Sequence, residues 1–384
     1  MPELDAPLPV TAMMNLTSRH AATMALPLLF ALATAVPAQQ APADSTVGRR
    51  RIQPFPAFGS APETGLQFGL TVLSVFEPPA MRHARPASVV ATALRSTKGQ
   101  TRVSIEGERW SANNDRRLQG LLAWQKFPLP YYGLGATSPE QAKELYTPTG
   151  VEATASVQQR LRGAWYALAT ARFLSQDITP DSATGALALN TRIVGRTGGR
   201  VGELGLGVLR DSRDFVFNPT RGTFAQLTYA VSAEATGSEF AYERLRFDAR
   251  KYASLGGEHV LAWQAQLIGT TGAPPFDQLA LVGGGDIMRG YARGRYREAW
   301  FTAAQVEYRS PIRRRLGMVA FAGAGTVAST AGGLADFVEG TLLPTYGAGA
   351  RIQIDARQRT AVRVDYGRGT KGASGLYIGF NQAF

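Results

Sequence analysis

The chain has 384 residues, 42 of them Gly, with aromatics at 9%, charged residues at 18% and a formal net charge of +12; the mean hydropathy is −0.11. The absence of Cys removes disulfides, thiolate metal sites and cysteine nucleophiles. Three scattered histidines, His20, His83 and His259, are too few to build a zinc site or a serine triad, so no enzymatic activity, cofactor or metal is expected.

The first element is an export signal. After Met13-Met14 the chain reads NLTSRH, then AATMALPLLFALATA, then VPA. A basic stretch, an apolar core of about 15 residues and small residues at Val36 and Ala38 have the layout of a secretory signal. Residues 1–38 are therefore expected to be cleaved, with Met13 or Met14 as candidate true starts. No later apolar run approaches the roughly 20 residues that a membrane helix needs. Residues 39–62, rich in Pro, Ala and basic side chains and without periodicity, predict a flexible lead-in open to a separate periplasmic partner.

From Glu63 onward short segments alternate apolar with polar or small residues, between clusters of Gly, Pro, Asp and Asn. That is the period-two signal of half-buried strands. Sixteen segments carry it: 63–77, 86–97, 99–111, 116–127, 147–160, 163–176, 185–196, 200–212, 222–235, 238–253, 258–270, 299–310, 315–328, 344–355, 359–368 and 374–384. The 185–196 segment is the least regular, and fourteen is the even number without it. In AWFTAAQVEYRSP, Trp300, Thr302, Ala304, Val306 and Tyr308 share one face; Phe301, Ala303, Gln305, Glu307 and Arg309 share the other.

The polar faces carry charges of both signs, while the apolar faces end in aromatics. That pattern predicts an inverted β-protein, with apolar side chains toward lipid and polar ones toward a lumen. Since every backbone group in lipid must pair, such strands close into a transmembrane antiparallel β-barrel. A secreted soluble β-protein is the competing reading on periodicity alone. Loop lengths alternate too: short turns such as STKGQ, SLGGE, SPIRRRLG and DARQR are expected on the periplasmic side. The long connections 271–298 and 329–343 are then extracellular.

The segment LVGGGDIMRGYARGRYREAW, residues 281–300, lies between two of these strands. Its Gly283-Gly284-Gly285 run lacks the Gly-Lys-Ser/Thr and the helix that a phosphate loop needs, so nucleotide binding is not expected. Together with AAQVEYRSPI, GMVAFAGAGTV, RDSRDFVFNPTRG, YYGLGATSPEQAKELYTP and a final Phe384, it resembles the BamA/TamA family of outer-membrane barrels, the bacterial surface antigen family. The resemblance covers about 63–384. It implies that the loop folds into the lumen with Arg289, Gly290 and Tyr291 at its tip. Glu307 would be the carboxylate partner of Arg289, with Gln305 and Arg309 on the same face. In the family a second acid often precedes the Gly-Thr-Val of the next strand; here Ala322-Gly323-Ala324-Gly325 stands there, so a looser hold is expected. Cleavage near Ala38 leaves about two dozen residues before the first strand, which implies a barrel-only member without the periplasmic repeats.

The closing segment GLYIGFNQAF places Leu376, Ile378, Phe380 and Phe384 on one face, resembling a targeting strand that seals the barrel against 63–77. Tyr377, Gly379, Phe380 and Phe384 are assigned to that seam, with Gly375 opposite Gly65 and Gly69. Arg313, Arg314 and Arg315, like Arg49–Arg51, are placed at the periplasmic rim as contacts for lipid phosphates; solvated charge is the alternative. Basic residues elsewhere interleave with acids on strand faces, so no nucleic acid is expected. Outer-membrane lipids and lipopolysaccharide are the expected surroundings, with unfolded outer-membrane proteins or a periplasmic protein as partners. Insertion or translocation of proteins or lipids is what the resemblance implies. A gated small-solute pore and a scaffold barrel are the alternatives.

Overall fold

The computed structural model describes residues 49–384 except 63, 78–84, 330–339 and 356–359. The expected signal and the first part of the lead-in, residues 1–48, lie outside the described residues. Among the described residues, sixteen strands form the wall. They are β1 (Arg49–Ala61), β2 (Gly65–Glu77), β3 (Ala87–Ser96), β4 (Thr101–Trp110), β5 (Arg116–Lys126) and β6 (Glu144–Arg160). Next come β7 (Trp165–Pro180), β8 (Gly198–Asp211), β9 (Gly222–Ser232), β10 (Tyr242–Gly256) and β11 (His259–Gly272). The last are β12 (Trp300–Arg309), β13 (Leu316–Ala328), β14 (Leu343–Asp355), β15 (Thr360–Arg368) and β16 (Ser374–Phe380).

Each strand pairs antiparallel with its neighbours in the chain, and β1 meets β16, so the sheet is a closed barrel. The burial pattern is inverted. Leu66, Phe68 and Leu70 of β2 and Leu204, Leu206 and Val208 of β8 are exposed. Gln67, Thr71 and Glu203, on the opposite faces of the same strands, are buried. Water would penalise that arrangement, whereas a lipid surround satisfies it. On β12 Phe301, Ala303, Gln305, Glu307 and Arg309 all face inward, the face that the alternation assigned to the lumen.

Two sequence-based assignments change places. Residues 49–61, expected as part of a flexible lead-in, form β1, paired with β2 in an unbroken register of thirteen residues from Arg49↔Glu77 to Ala61↔Gly65. Residues 185–196, expected as a strand, instead hold a short helix, Ala186–Leu189, and turns. Its apparent alternation reflects inward packing of a loop: Leu187 is fully buried beside Tyr131, Tyr146, Ile178 and Phe276. The strand closing on β16 is therefore β1 and not 63–77. Gly65 and Gly69 pair with β1 and β3.

Because direction reverses at each strand, the turn STKGQ lies at the same end as the long loop after β11, not with the short turns of the other end. The connection 212–221 lies at that opposite end, as does Asn381–Phe384.

Candidate functional site

The β11–β12 connection builds the site. Two three-residue strands, Ala280–Val282 and Tyr296–Glu298, pair as a short stalk. Val282, Met288, Tyr291 and Tyr296 of this loop pack with Phe301 of β12, Val327 of β13 and Leu343 of β14. At the base of the stalk Arg297 Nη1 donates to the Phe276 carbonyl oxygen at 3.1 Å. Its guanidinium lies between the rings of Tyr131 and Phe276, 5.2 and 5.3 Å from their centroids. Arg295 reaches the β5–β6 connection, donating to the Ser138 carbonyl oxygen at 2.9 Å and pairing with Glu140 at 2.9 Å. These two anchors were missed in the sequence, where they are two arginines among four in the loop.

The loop tip lies against the inner face of the barrel. Arg289 is fully buried, 2.7 Å from Glu307 Oε2 on β12 and 2.8 Å from Asp365 Oδ2 on β15. Its Nη2 also donates to Gln305 Oε1 at 3.3 Å, and its guanidinium sits 3.5 Å from the centroid of the Phe321 ring on β13. Two carboxylates facing one guanidinium would repel each other. Further cations offset that repulsion: Arg309 Nε donates to Glu307 Oε1 at 2.8 Å, and Arg351 of β14 pairs with Asp365. Buried charges are tolerated when paired in this way.

Backbone contacts fix the tip further. Gly290 has φ +115°, a conformation open to Gly, and its N–H donates to the Tyr377 hydroxyl at 2.6 Å. Tyr377 in turn donates to the Tyr291 carbonyl oxygen at 3.2 Å, and the Tyr291 hydroxyl donates to the Pro344 carbonyl oxygen at 2.8 Å. The Thr345 hydroxyl donates to the Arg289 carbonyl oxygen. Gly367 lets β15 pass close by: a Cβ there would stand 2.6 Å from the Arg289 carbonyl carbon.

The structure thus brings Arg289, Gly290, Tyr291, Glu307 and Gln305 together, with Arg309 joined through Glu307. The acid missing from β13 is replaced by Asp365, two strands farther along the wall, so the loop is gripped by two carboxylates after all. Tyr377, assigned to the seam, points inward and holds the tip. Gly379 faces inward beneath the Arg363 guanidinium, whose Nη2 donates to Asp286 Oδ1 at 3.0 Å. Phe380 remains at the seam, 6.3 Å from the Phe58 ring of β1.

Phe384 is not on the lipid face. The strand ends at Phe380, Asn381 turns with φ +59°, and Phe384 is buried inside the barrel. Arg313, Arg314 and Arg315 form an exposed turn at the end opposite the loop, apart from the Arg289 site.

Comparison with curated protein sequences found no match. Among solved structures, the chain is similar to the crystal structure of BamA from Haemophilus ducreyi lacking POTRA domains 1–3. That match has a TM-score of 0.59 and 13% identity, over 88% of this chain and 70% of that one. CdiB from Acinetobacter baumannii matches with a TM-score of 0.54 and 11% identity, over 88% of this chain and 60% of that one. At these identities the likeness is one of fold. The family model described as the Omp85 superfamily domain matches residues 91–384, and the chain belongs to the Omp85 superfamily of outer-membrane barrels.

Proposed function

We propose that this barrel assists the insertion or translocation of proteins or lipids through the wall between β1 and β16. The observation that carries the reading is the pairing at that junction. Among the described residues, β1 and β16 share one register pair, Ser60↔Ile378, whereas β1 and β2 share thirteen. Pro54 and Pro56 add to the contrast. The β1–β2 ladder runs across both without interruption, so the donors these prolines lack belong to the side that faces β16. A strand short of donors on one side cannot complete a ladder there, so the junction with β16 stays short and parts more readily than the fully paired wall.

In this reading the end bearing the 273–299 loop is extracellular, and the termini of the barrel face the periplasm after cleavage of the signal at 1–38. Arg313–Arg315 then meet lipid phosphates of the inner leaflet. Outer-membrane lipids and lipopolysaccharide surround the apolar wall, and unfolded outer-membrane proteins are the clients.

The test is an insertion assay. The reconstituted barrel is expected to speed the folding of an unfolded model barrel into vesicles, and a Ser60→Cys/Ile378→Cys disulfide is expected to abolish that gain. These residues face each other directly, within the reach of a disulfide. No acceleration by the unlocked barrel, or acceleration that survives locking, would overturn the reading.

A second reading, a gated small-solute pore, has its own support. The inward-facing Arg117, Gln119 and Gln158 keep partial exposure, unlike the buried inner face of β12. Solute flux through the seam-locked barrel separates the two.

A further inference from the structure

The four residues after β16 occupy a built seat. The Phe384 ring packs with Tyr252 of β10, their centroids 6.4 Å apart, and with Ala262 of β11, which is fully buried. Arg309 Nη2 donates to the Phe384 carbonyl oxygen at 2.7 Å, and its guanidinium lies 5.2 Å from that ring. Gln382 is read at both ends of its amide. Its Oε1 accepts from Arg351 Nε at 2.7 Å, and its Nε2 donates to Asn218 Oδ1 in the 212–221 connection at 3.1 Å. Asn381 N donates to the Ala361 carbonyl oxygen at 2.6 Å. These partners come from β10, β11, β12, β14, β15 and the 212–221 connection. The segment therefore crosses the barrel interior from the seam strand toward the wall at β11, five strands away.

The seat and the loop tip share their charges. Arg309 holds Phe384 with one edge and Glu307 with another, while Arg351 holds Gln382 and Asp365. Glu307 and Asp365 are the two carboxylates that grip Arg289. Moving the tip frees both acids to draw their second arginines away from the segment.

We propose that Asn381–Phe384 is a reversible stopper of the barrel interior, bound in cis at a site that recognises an amide side chain followed two residues later by an aromatic ring, and released when the 273–299 loop tip leaves Glu307 and Asp365. The site is an intramolecular peptide-binding site, and its occupant sits next to the seam. A bound stopper also restrains β16, whose outward movement would have to drag Phe384 from its seat. This inference does not depend on the insertion reading, since it concerns closure of the interior whatever passes through it.

The experiment uses the full chain, which contains no Cys. Ala262→Cys places a single thiol beneath Phe384, and its reaction with a bulky maleimide is timed on the folded, reconstituted barrel. Adding Gln382→Ala/Phe384→Ala is expected to speed labelling at least tenfold, and a synthetic peptide of residues 378–384 is expected to slow it again. Arg289→Ala with the segment intact is expected to speed labelling as well. Unchanged labelling in the double variant, or no protection by the peptide, overturns the stopper; no effect of Arg289→Ala overturns its coupling to the loop. Should the double variant fail to fold, Ala262→Cys alone decides. Labelling at a rate that saturates with reagent marks release of the segment, and a folded barrel that stays unlabelled for hours has a fixed wall there, which overturns the proposal.

Discussion

Arg289 in the β11–β12 loop and Asp365 on β15 meet at 2.8 Å although 76 residues separate them, and both side chains are completely buried. An uncompensated guanidinium in that position would be strongly unfavourable, and so would an uncompensated carboxylate. Each therefore makes the other's position tolerable. Glu307 makes the same argument from β12 at 2.7 Å.

Arg289→Ala leaves two buried carboxylates with one cation fewer between them. Breaking a buried pair on one side typically costs about 3–5 kcal/mol, so the variant is expected to unfold at lower temperature or denaturant than the parent barrel. The loop should also loosen, raising single-channel conductance. Arg289→Lys retains the charge but cannot span Glu307 and Asp365 with one planar fork, and an intermediate effect is expected. Semi-native electrophoresis with a temperature ramp and planar-bilayer recording check both; parental values in each would refute the anchoring role.

The two acids are expected to act as a unit. Glu307→Gln and Asp365→Asn each leave Arg289 one carboxylate, and each relieves the repulsion the other acid feels. Their combined effect on unfolding should deviate from the sum of the single effects by about 0.5–3 kcal/mol, the range for residues in one network. Additive losses would mean that the acids hold the loop independently.

Close packing gives a separate handle on the tip. Gly367→Ala introduces a methyl group 2.6 Å from the Arg289 carbonyl carbon, where backbone and not a flexible side chain stands in the way. The loop must move or β15 must bend. Tyr377→Phe removes the hydroxyl that accepts from Gly290 N and donates to Tyr291 O, leaving the buried Gly290 N–H unpaired and the Tyr291 carbonyl oxygen with the Gly284 N–H at 3.3 Å. A loss of about 1–3 kcal/mol follows for the group left unsatisfied. Protease sensitivity of the 273–299 loop should rise in both variants, and a loop as resistant as in the parent would contradict the packing.

Much of this arrangement was legible in the chain because alternation carries it. The inward face of β12 could be read residue by residue, and Arg289 with Glu307 followed from the family resemblance. Asp365 also stood on a visibly polar face in RTAVRVDYG, but period two reports which face a residue occupies and not which strand lies across the lumen. Its pairing with Arg289 is a property of closure. Residues 49–61 were hidden for a different reason. Prolines at 54 and 56 and the arginine run suppress the strand signal, yet a strand fully paired on one side tolerates both. Conversely, Leu187 and Leu189 lent 185–196 an alternation that belongs to a loop packing over aromatics. The count of sixteen was reached with one wrong member. The inward turn at Asn381 had only the interruption of the apolar pattern at Gln382 to signal it.

The reassignment of residues 49–61 yields the last prediction. As a lead-in they would be dispensable for folding, and their deletion would affect only the recruitment of a partner. As β1 they supply one wall strand, thirteen register pairs with β2 and the Phe58 contact to Phe380. Deleting them exposes the backbone of β2 and of β16 to lipid, where each unpaired group costs several kcal/mol. The deletion is expected to abolish the compact, heat-modifiable form, whereas Arg50→Ser/Arg51→Ser, which changes two exposed side chains of the same strand, should preserve it. A deletion variant that folds like the parent would show that β1 is not a strand of the wall.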